Sequence, residues 1–190
     1  TYAWAVKEGD ASAAVTIATA DPIHPNNPHY AVLEARPGVT LQNDGFDGIS
    51  LKKGEKYDFS LFARVAPGSK EGKVVVCLLD QDGREIARSS VNVSSKEWKK
   101  QQTVLTANAD VRAAVLSLQP QTVGTLHLDM ISLFPQNTFK GHKNGLRIDL
   151  AQTLADLHPR FVRFPGGCVA HGDGIDNIYD WKLSLIHISE

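Results

Sequence analysis

The sequence predicts a mainly β protein, an antiparallel jelly-roll β-sandwich followed by an incomplete α/β fragment, and three observations carry that reading. From Trp4 to Phe134 apolar residues recur with a period of two, interrupted at short intervals by turn residues. At Pro135 the texture changes to a polar connection, after which leucines recur at helical spacing. Phe161-Val-Arg-Phe164 then reads as a short strand running into a glycine turn, the kind of junction at which α/β folds place their chemistry.

The opening Thr1-Tyr-Ala-Trp-Ala5 reads as the middle of a strand, and a start without Met is expected of an internal segment of a longer chain. Strand candidates follow at 13–17, 30–35, 39–42 and 48–51. In the next, Tyr57, Phe59, Leu61, Ala63 and Val65 alternate with Asp58, Ser60 and Arg64, the pattern of a strand with one buried face, and Phe62 breaks the alternation. Val74 to Leu79 is apolar on both faces and ends at Asp80-Gln-Asp-Gly-Arg84, whose Asp-Gly signals a hairpin returning through 85–93. Strands at 98–105, 112–118 and 125–133 complete the set. Beyond Pro135, Asn144 is expected to cap a helix on which Leu146, Leu150, Leu154 and Leu157 share a face, and Pro159 ends it. The domain boundary is therefore expected near residue 135, giving a sandwich over 1–134 and an α/β piece over 135–182.

With 190 residues, one or two domains are expected, and a closed (β/α)8 barrel of roughly 250 residues does not fit after residue 135. A net charge of −1 provides no field for polyanions, so neither nucleic acid nor an anionic membrane surface is expected as a partner. No apolar run approaches the ~20 residues of a bilayer span. Cys77 lies in an apolar run and Cys168 in the glycine turn, so a disulfide between them is not expected, and Cys77 reads as a small buried hydrophobe. His24 and His29 flank a Pro/Asn-rich loop without metal-ligand spacing, and no metal or cofactor is expected.

Three runs, Asp129-Met-Ile-Ser-Leu-Phe-Pro135, Asn144-Gly-Leu-Arg-Ile-Asp-Leu150 and Arg163-Phe-Pro-Gly-Gly-Cys168, stand in an order and at a spacing that resembles the α-L-arabinofuranosidases of glycoside hydrolase family fifty-one. The resemblance is tightest over 129–182. Residues 1–128 look like the galactose-binding-like carbohydrate-binding module that such enzymes carry. It implies that 135–182 begin a TIM-barrel catalytic domain, and that the two catalytic glutamates lie on later barrel strands, so no catalytic residue is expected in this chain. The final Leu183-Ser-Leu-Ile-His-Ile-Ser-Glu190 departs from the family pattern and reads as a non-native tail. The parent enzyme is expected to be a secreted or periplasmic retaining glycosidase. It would remove terminal arabinofuranose from a plant cell-wall polysaccharide or arabino-oligosaccharide through two carboxyl groups about 5–5.5 Å apart. A non-catalytic carbohydrate-binding module and a purely structural sandwich are the alternatives; oligomeric state is left open.

Period-two geometry puts Phe161 and Arg163 on one strand face and Val162 and Phe164 on the other. Arg163 then either fixes the strand end through a salt bridge or donates hydrogen bonds to sugar hydroxyls; the resemblance implies the second. Gly166 and Gly167 let backbone approach a ligand closely. Cys168 stands where many relatives carry asparagine, and a thiol is the weaker hydrogen-bond partner. His171 reads as a loop residue, and Asp173 and Asp176 as Asx-turn formers rather than a catalytic pair. In the sandwich, Phe46 in a turn-rich loop and Phe62, out of phase on its strand, are the candidates for stacking on a sugar, against core packing as the alternative. Trp4 and Trp98, near strand starts, are weighed as stacking residues against core packing or a domain contact in the same way. Asp44 and Asp47 suit a turn better than a calcium site.

In the longer enzyme, Arg163→Ala is expected to lower kcat/KM by about two orders of magnitude, roughly 3 kcal/mol of transition-state stabilisation, with little change in Tm. A large fall in Tm with near-normal turnover of the folded fraction would assign Arg163 to the salt bridge instead. Kinetics and melting measured on the same protein decide between them.

Overall fold

Residues 4–7 and 15–161 are described by the computed structural model, and they place eleven strands in two antiparallel sheets. In chain order these are β1 (Trp4–Lys7), β2 (Val15–Ala18), β3 (Tyr30–Ala35), β4 (Thr40–Asn43), β5 (Ile49–Leu51), β6 (Lys56–Val65), β7 (Gly72–Leu79), β8 (Glu85–Val93), β9 (Lys99–Thr106), β10 (Val111–Pro120) and β11 (Gly124–Pro135). One sheet runs β1-β4-β10-β7-β8, with β5 also paired to β10; the other runs β2-β3-β11-β6-β9. Neighbours within each sheet are mostly far apart in sequence, as a jelly roll requires.

The alternation read in β6 is the packing rule of the sandwich. Phe59, Leu61, Ala63 and Val65 are buried, and they join Leu33, Leu126 and Leu128 of the same sheet and Leu41, Val74, Val76, Leu78, Leu116 and Leu118 of the other in one core. β7, apolar on both faces, is the inner strand between β10 and β8. Cys77 is fully buried on it; its Sγ donates to Glu85 Oε2 at 3.5 Å, and burial first, then Glu85, push the thiol up to about 11. The Asp80–Arg84 turn closes the β7–β8 hairpin as the Asp-Gly pair signalled: Asp80 Oδ1 accepts from the Asp82 and Arg84 amides, and Gly83 takes φ 78°. Gly48 is required for a different reason. At φ 90°, a Cβ there would stand 2.4 Å from the Ala113 Cβ, so β5 could not approach β10.

The last strand holds a feature the sequence reading passed over. β11 pairs with β6 through Asp129↔Phe62 and then Ser132↔Ser60, three residues against two, which is a one-residue bulge. Met130 occupies it at φ 48° and is 56% exposed. The bulge changes phase: Leu126 and Leu128 face the core before it, and Ile131 and Leu133 pack on the core after it. A regular strand would have sent the latter pair outward.

Past Pro135 the chain stays attached to the first compact unit, which runs to Ile148, further than the boundary expected near 135; the second unit begins at Asp149. The Gln136 amide donates to the Lys56 carbonyl and Asn137 Nδ2 to Glu55 Oε1, extending the β11–β6 pairing into the connection. Asn144 is not a helix cap. It takes φ 52° in a tight turn closed by the Gly145 amide on the His142 carbonyl, and the helix α1 begins at Ile148 and ends at Asp156, short of His158, which takes φ 48° before Pro159. A capping residue needs extended backbone, which this turn denies to Asn144. Leu146, Leu150, Leu154 and Leu157 are all exposed. The expected strand at 161–164, the turn with Arg163, Gly166, Gly167 and Cys168, and everything to 190 lie outside the described residues except Phe161.

Left-handed backbone costs a residue with a Cβ about 1–2 kcal/mol, whereas glycine adopts it freely. Since Met130 is mostly exposed and little packing is lost, Met130→Gly is expected to raise unfolding free energy by about 1 kcal/mol, read from denaturant midpoints. Destabilisation would mean that the methionine side chain packs usefully at the bulge.

Candidate functional site

The outward phase of the five-stranded sheet presents chemistry in rows. At one end Val104, Asp58 and Phe134 are cross-strand partners; next come Gln102, Ser60 and Ser132, then Lys100, Phe62 and Asp129. The fourth row holds Arg64, His127, Val32 and Thr16. Phe62 is thus in phase with the outer face, which explains why it broke the apolar alternation. Its ring is partly exposed, with Lys100 Nζ 5.9 Å from the centroid. Ser60 Oγ and Ser132 Oγ share a hydrogen bond of 2.8 Å, and Gln136 Nε2 donates to Asp58 Oδ1 at 2.7 Å. Each group keeps further hydrogen-bonding capacity, since a hydroxyl offers one donor and two acceptor positions. An aromatic ring beside hydroxyls, an amide and an ammonium can hold a polyol ring by its C–H face and its edge at once.

Asp129 closes the row at the bulge. Its Oδ1 accepts from the Met130 amide at 2.7 Å, while Oδ2 is buried with no hydrogen-bond partner among the described residues. Burial raises its pKa, with the Met130 N–H pulling the other way. Asp129 also borders a cleft of about 610 Å³ beside β1, β2 and β3, lined by Trp4, Val6, Ile17, Tyr30 and Met130 among others.

The next row is built around a buried cation. Arg64 is 8% exposed and lies over the Trp98 ring at 4.6 Å and the Tyr30 ring at 5.5 Å. Its Nη1 pairs with the Asp21 carboxylate, its Nε donates to His127 Nδ1 at 3.0 Å, and its Nη2 reaches the Ala20 carbonyl and the Tyr30 hydroxyl at 3.4 Å. Tyr30 donates to the Ala20 carbonyl at 2.7 Å and Trp98 Nε1 to the Asp21 carbonyl at 3.0 Å. Burial first, then the Arg64 charge, lower the His127 pKa. The sequence reading weighed Trp98 alone and missed Arg64, Tyr30 and His127. Strand phase already put Arg64 on the outer face with Phe62, but its partners come from 34 to 63 residues away.

Phe46, the other stacking candidate, is 82% exposed in the β4–β5 turn, where Asp47 takes φ 58° and the Gly45 amide caps onto Asn43 Oδ1. It is not on the face that carries Phe62. Among the described residues no group of three or more His, Cys, Asp or Glu is arranged to hold a metal.

Asp129→Asn removes a buried charge and keeps the acceptor for the Met130 amide. A carboxyl whose folded pKa is raised favours the folded state below its unfolded value, near 3.9, and that contribution is lost as pH rises through the folded value. The substitution is therefore expected to raise Tm at neutral pH, and the gain should vanish as the pH falls toward about 4. Thermal melts of both proteins across that range check it; a gain independent of pH would point away from the charge.

A family model described as carbohydrate binding domain matches residues 1–125. The α-L-arabinofuranosidase 1 of Arabidopsis thaliana is 35% identical over 152 residues, covering 78% of this chain and 22% of the relative. The extracellular exo-α-L-arabinofuranosidase of Streptomyces chartreusis is 36% identical over 180 residues, 88% of this chain and 21% of the relative. The chain thus spans about a fifth of the length of these relatives. Among solved structures, the arabinose-bound MgGH51 α-L-arabinofuranosidase superposes with a TM-score of 0.82 at 28% identity, over 95% of this chain and 30% of that one. The xylan-binding CBM22-1 domain of Paenibacillus barcinonensis Xyn10C shares the sandwich alone, with a TM-score of 0.52 at 14% identity, over 71% of this chain and 86% of that one. Fold and sequence agree: the chain belongs to the carbohydrate-binding domain family, in the form carried by α-L-arabinofuranosidases of glycoside hydrolase family fifty-one.

Proposed function

We propose that the outer face of the five-stranded sheet binds an arabinofuranose-bearing plant cell-wall polysaccharide or oligosaccharide, and that the chain is the carbohydrate-binding part of a secreted, retaining α-L-arabinofuranosidase. The observation that carries this is the row of Lys100, Phe62 and Asp129 beside the row of Gln102, Ser60 and Ser132. A furanose or pyranose ring laid on Phe62 buries its C–H face. Its hydroxyls then meet donors from Lys100 and Gln102 and acceptors from the serines and Asp129.

The supporting comparison is the similarity to α-L-arabinofuranosidases over 78% of this chain or more. In the complete enzyme the sandwich would hold the polymer while the barrel, with Arg163, Gly166, Gly167 and Cys168 at one strand end, removes terminal arabinofuranose. Hydrolysis then follows the two-carboxylate retaining route, without a metal or organic cofactor.

Phe62→Ala is expected to weaken binding to arabinoxylan oligosaccharides about tenfold, or ~1.4 kcal/mol. Phe46→Ala is expected to leave binding unchanged, because Phe46 lies off this face. Isothermal titration of the wild type and both variants is the test. Absence of binding by the wild type to arabinoxylan and arabinan would make the sandwich a structural brace, and loss on Phe46→Ala alone would move the site to the β4–β5 turn.

A further inference from the structure

We infer that His127 and Arg64 form a proton-controlled fastening, which holds the connection between β2 and β3, residues 19–29, against the outer face at neutral pH and releases it in acid. The connection contains Pro22, Pro25 and Pro28, and the hydrogen bonds within it are few, chiefly the His24–Asn27 turn. What holds it to the sheet is the buried Arg64, through the Asp21 carboxylate and the Ala20 carbonyl, together with Trp98 Nε1 on the Asp21 carbonyl.

The orientation of Arg64 in turn depends on His127. A guanidinium nitrogen can only donate, so the 3.0 Å contact from Arg64 Nε requires a lone pair on His127 Nδ1 and hence a neutral imidazole. Protonation converts that acceptor into a donor and sets a second positive charge against the guanidinium. The charged or titratable groups around His127 are Arg64 from β6, the Tyr30 phenol from β3, whose ring centroid lies 5.0 Å away, Asp129 and Glu34 one pleat along β11 and β3 on the same face, and Asp21 from the connection, which reaches it only through Arg64. Trp98 adds a ring at 6.3 Å but no charge. One exposed carboxylate, Asp21, would then face two cations. The imidazole's lowered pKa agrees in direction: the folded form favours neutral His127, so the fastening is complete above the free-histidine value near 6.5 and is lost as pH falls through the lower folded value.

The test is amide hydrogen exchange of residues 19–29 in the full chain between about pH 5 and pH 7.5, corrected for intrinsic rates, for wild type and His127→Gln. Glutamine keeps an acceptor that cannot be protonated. His24 and His29 remain in both proteins; Asn26, whose amide donates to His24 Nδ1, is left out of the comparison, because protonation of His24 would remove that acceptor in both. Wild-type protection is expected to fall at least tenfold on acidification, while His127→Gln stays protected throughout. Unchanged wild-type protection, or an equal loss in His127→Gln, overturns the inference. If the variant does not fold, the wild type decides alone: the His127 imidazole titration followed by NMR must share its midpoint with the loop amides, and separate midpoints overturn it.

Discussion

The burial of Phe59, Leu61, Ala63 and Val65 on one side of β6 decides what the other side can do. Side chains alternate along a strand, so sealing these four into the core sends Asp58, Ser60, Phe62 and Arg64 outward as a fixed series, one pleat apart. β9 and β11 pair with β6 over most of its length, and their outward residues fall into the same rows. The polar and aromatic face is a consequence of the hydrophobic core behind it. A one-residue slip of either neighbour would exchange the two and bury lysine, aspartate and serine.

The bulge at Met130 is where this constraint is most costly. β11 must keep Leu126 and Leu128 inside, and Ile131 and Leu133 inside as well, at a spacing that no regular strand satisfies. Inserting one residue restores the phase, forces Met130 into left-handed backbone, and leaves Asp129 half-buried beside it, with its buried Oδ2 unpaired among the described residues. A strained backbone and an unsatisfied carboxylate next to an outward aromatic mark the same spot.

Arg64 works differently from the groups around Phe62. Every nitrogen of its guanidinium is engaged and the Trp98 and Tyr30 rings lie against it, so it organises the end of the sheet and is not open to an incoming ligand. The rows proposed to hold a polyol and the proposed fastening thus divide the face between them: Phe62 and its neighbours remain partly open, while Arg64, Trp98, Tyr30 and His127 are engaged around the β2–β3 connection.

The sequence by itself determined the strands, because burial of one face writes a period of two into β6, β8 and β9 and a continuous apolar run into β7. It also marked Phe62 as the residue out of step and Cys77 as a core residue, since both follow from strand phase and polarity within a few neighbours. The step from Leu128 to Ile131 carried the signal of the bulge, three residues where two were due. The start of α1 was misjudged because Asn144 suits an N-cap and a left-handed turn equally, and only the Gly145–His142 hydrogen bond chooses. What the tertiary structure alone decided is which distant residues meet: that Asp21, Tyr30, Arg64, Trp98 and His127 converge is set by strand order, and strand order follows from how two sheets close over one core, which no local pattern encodes.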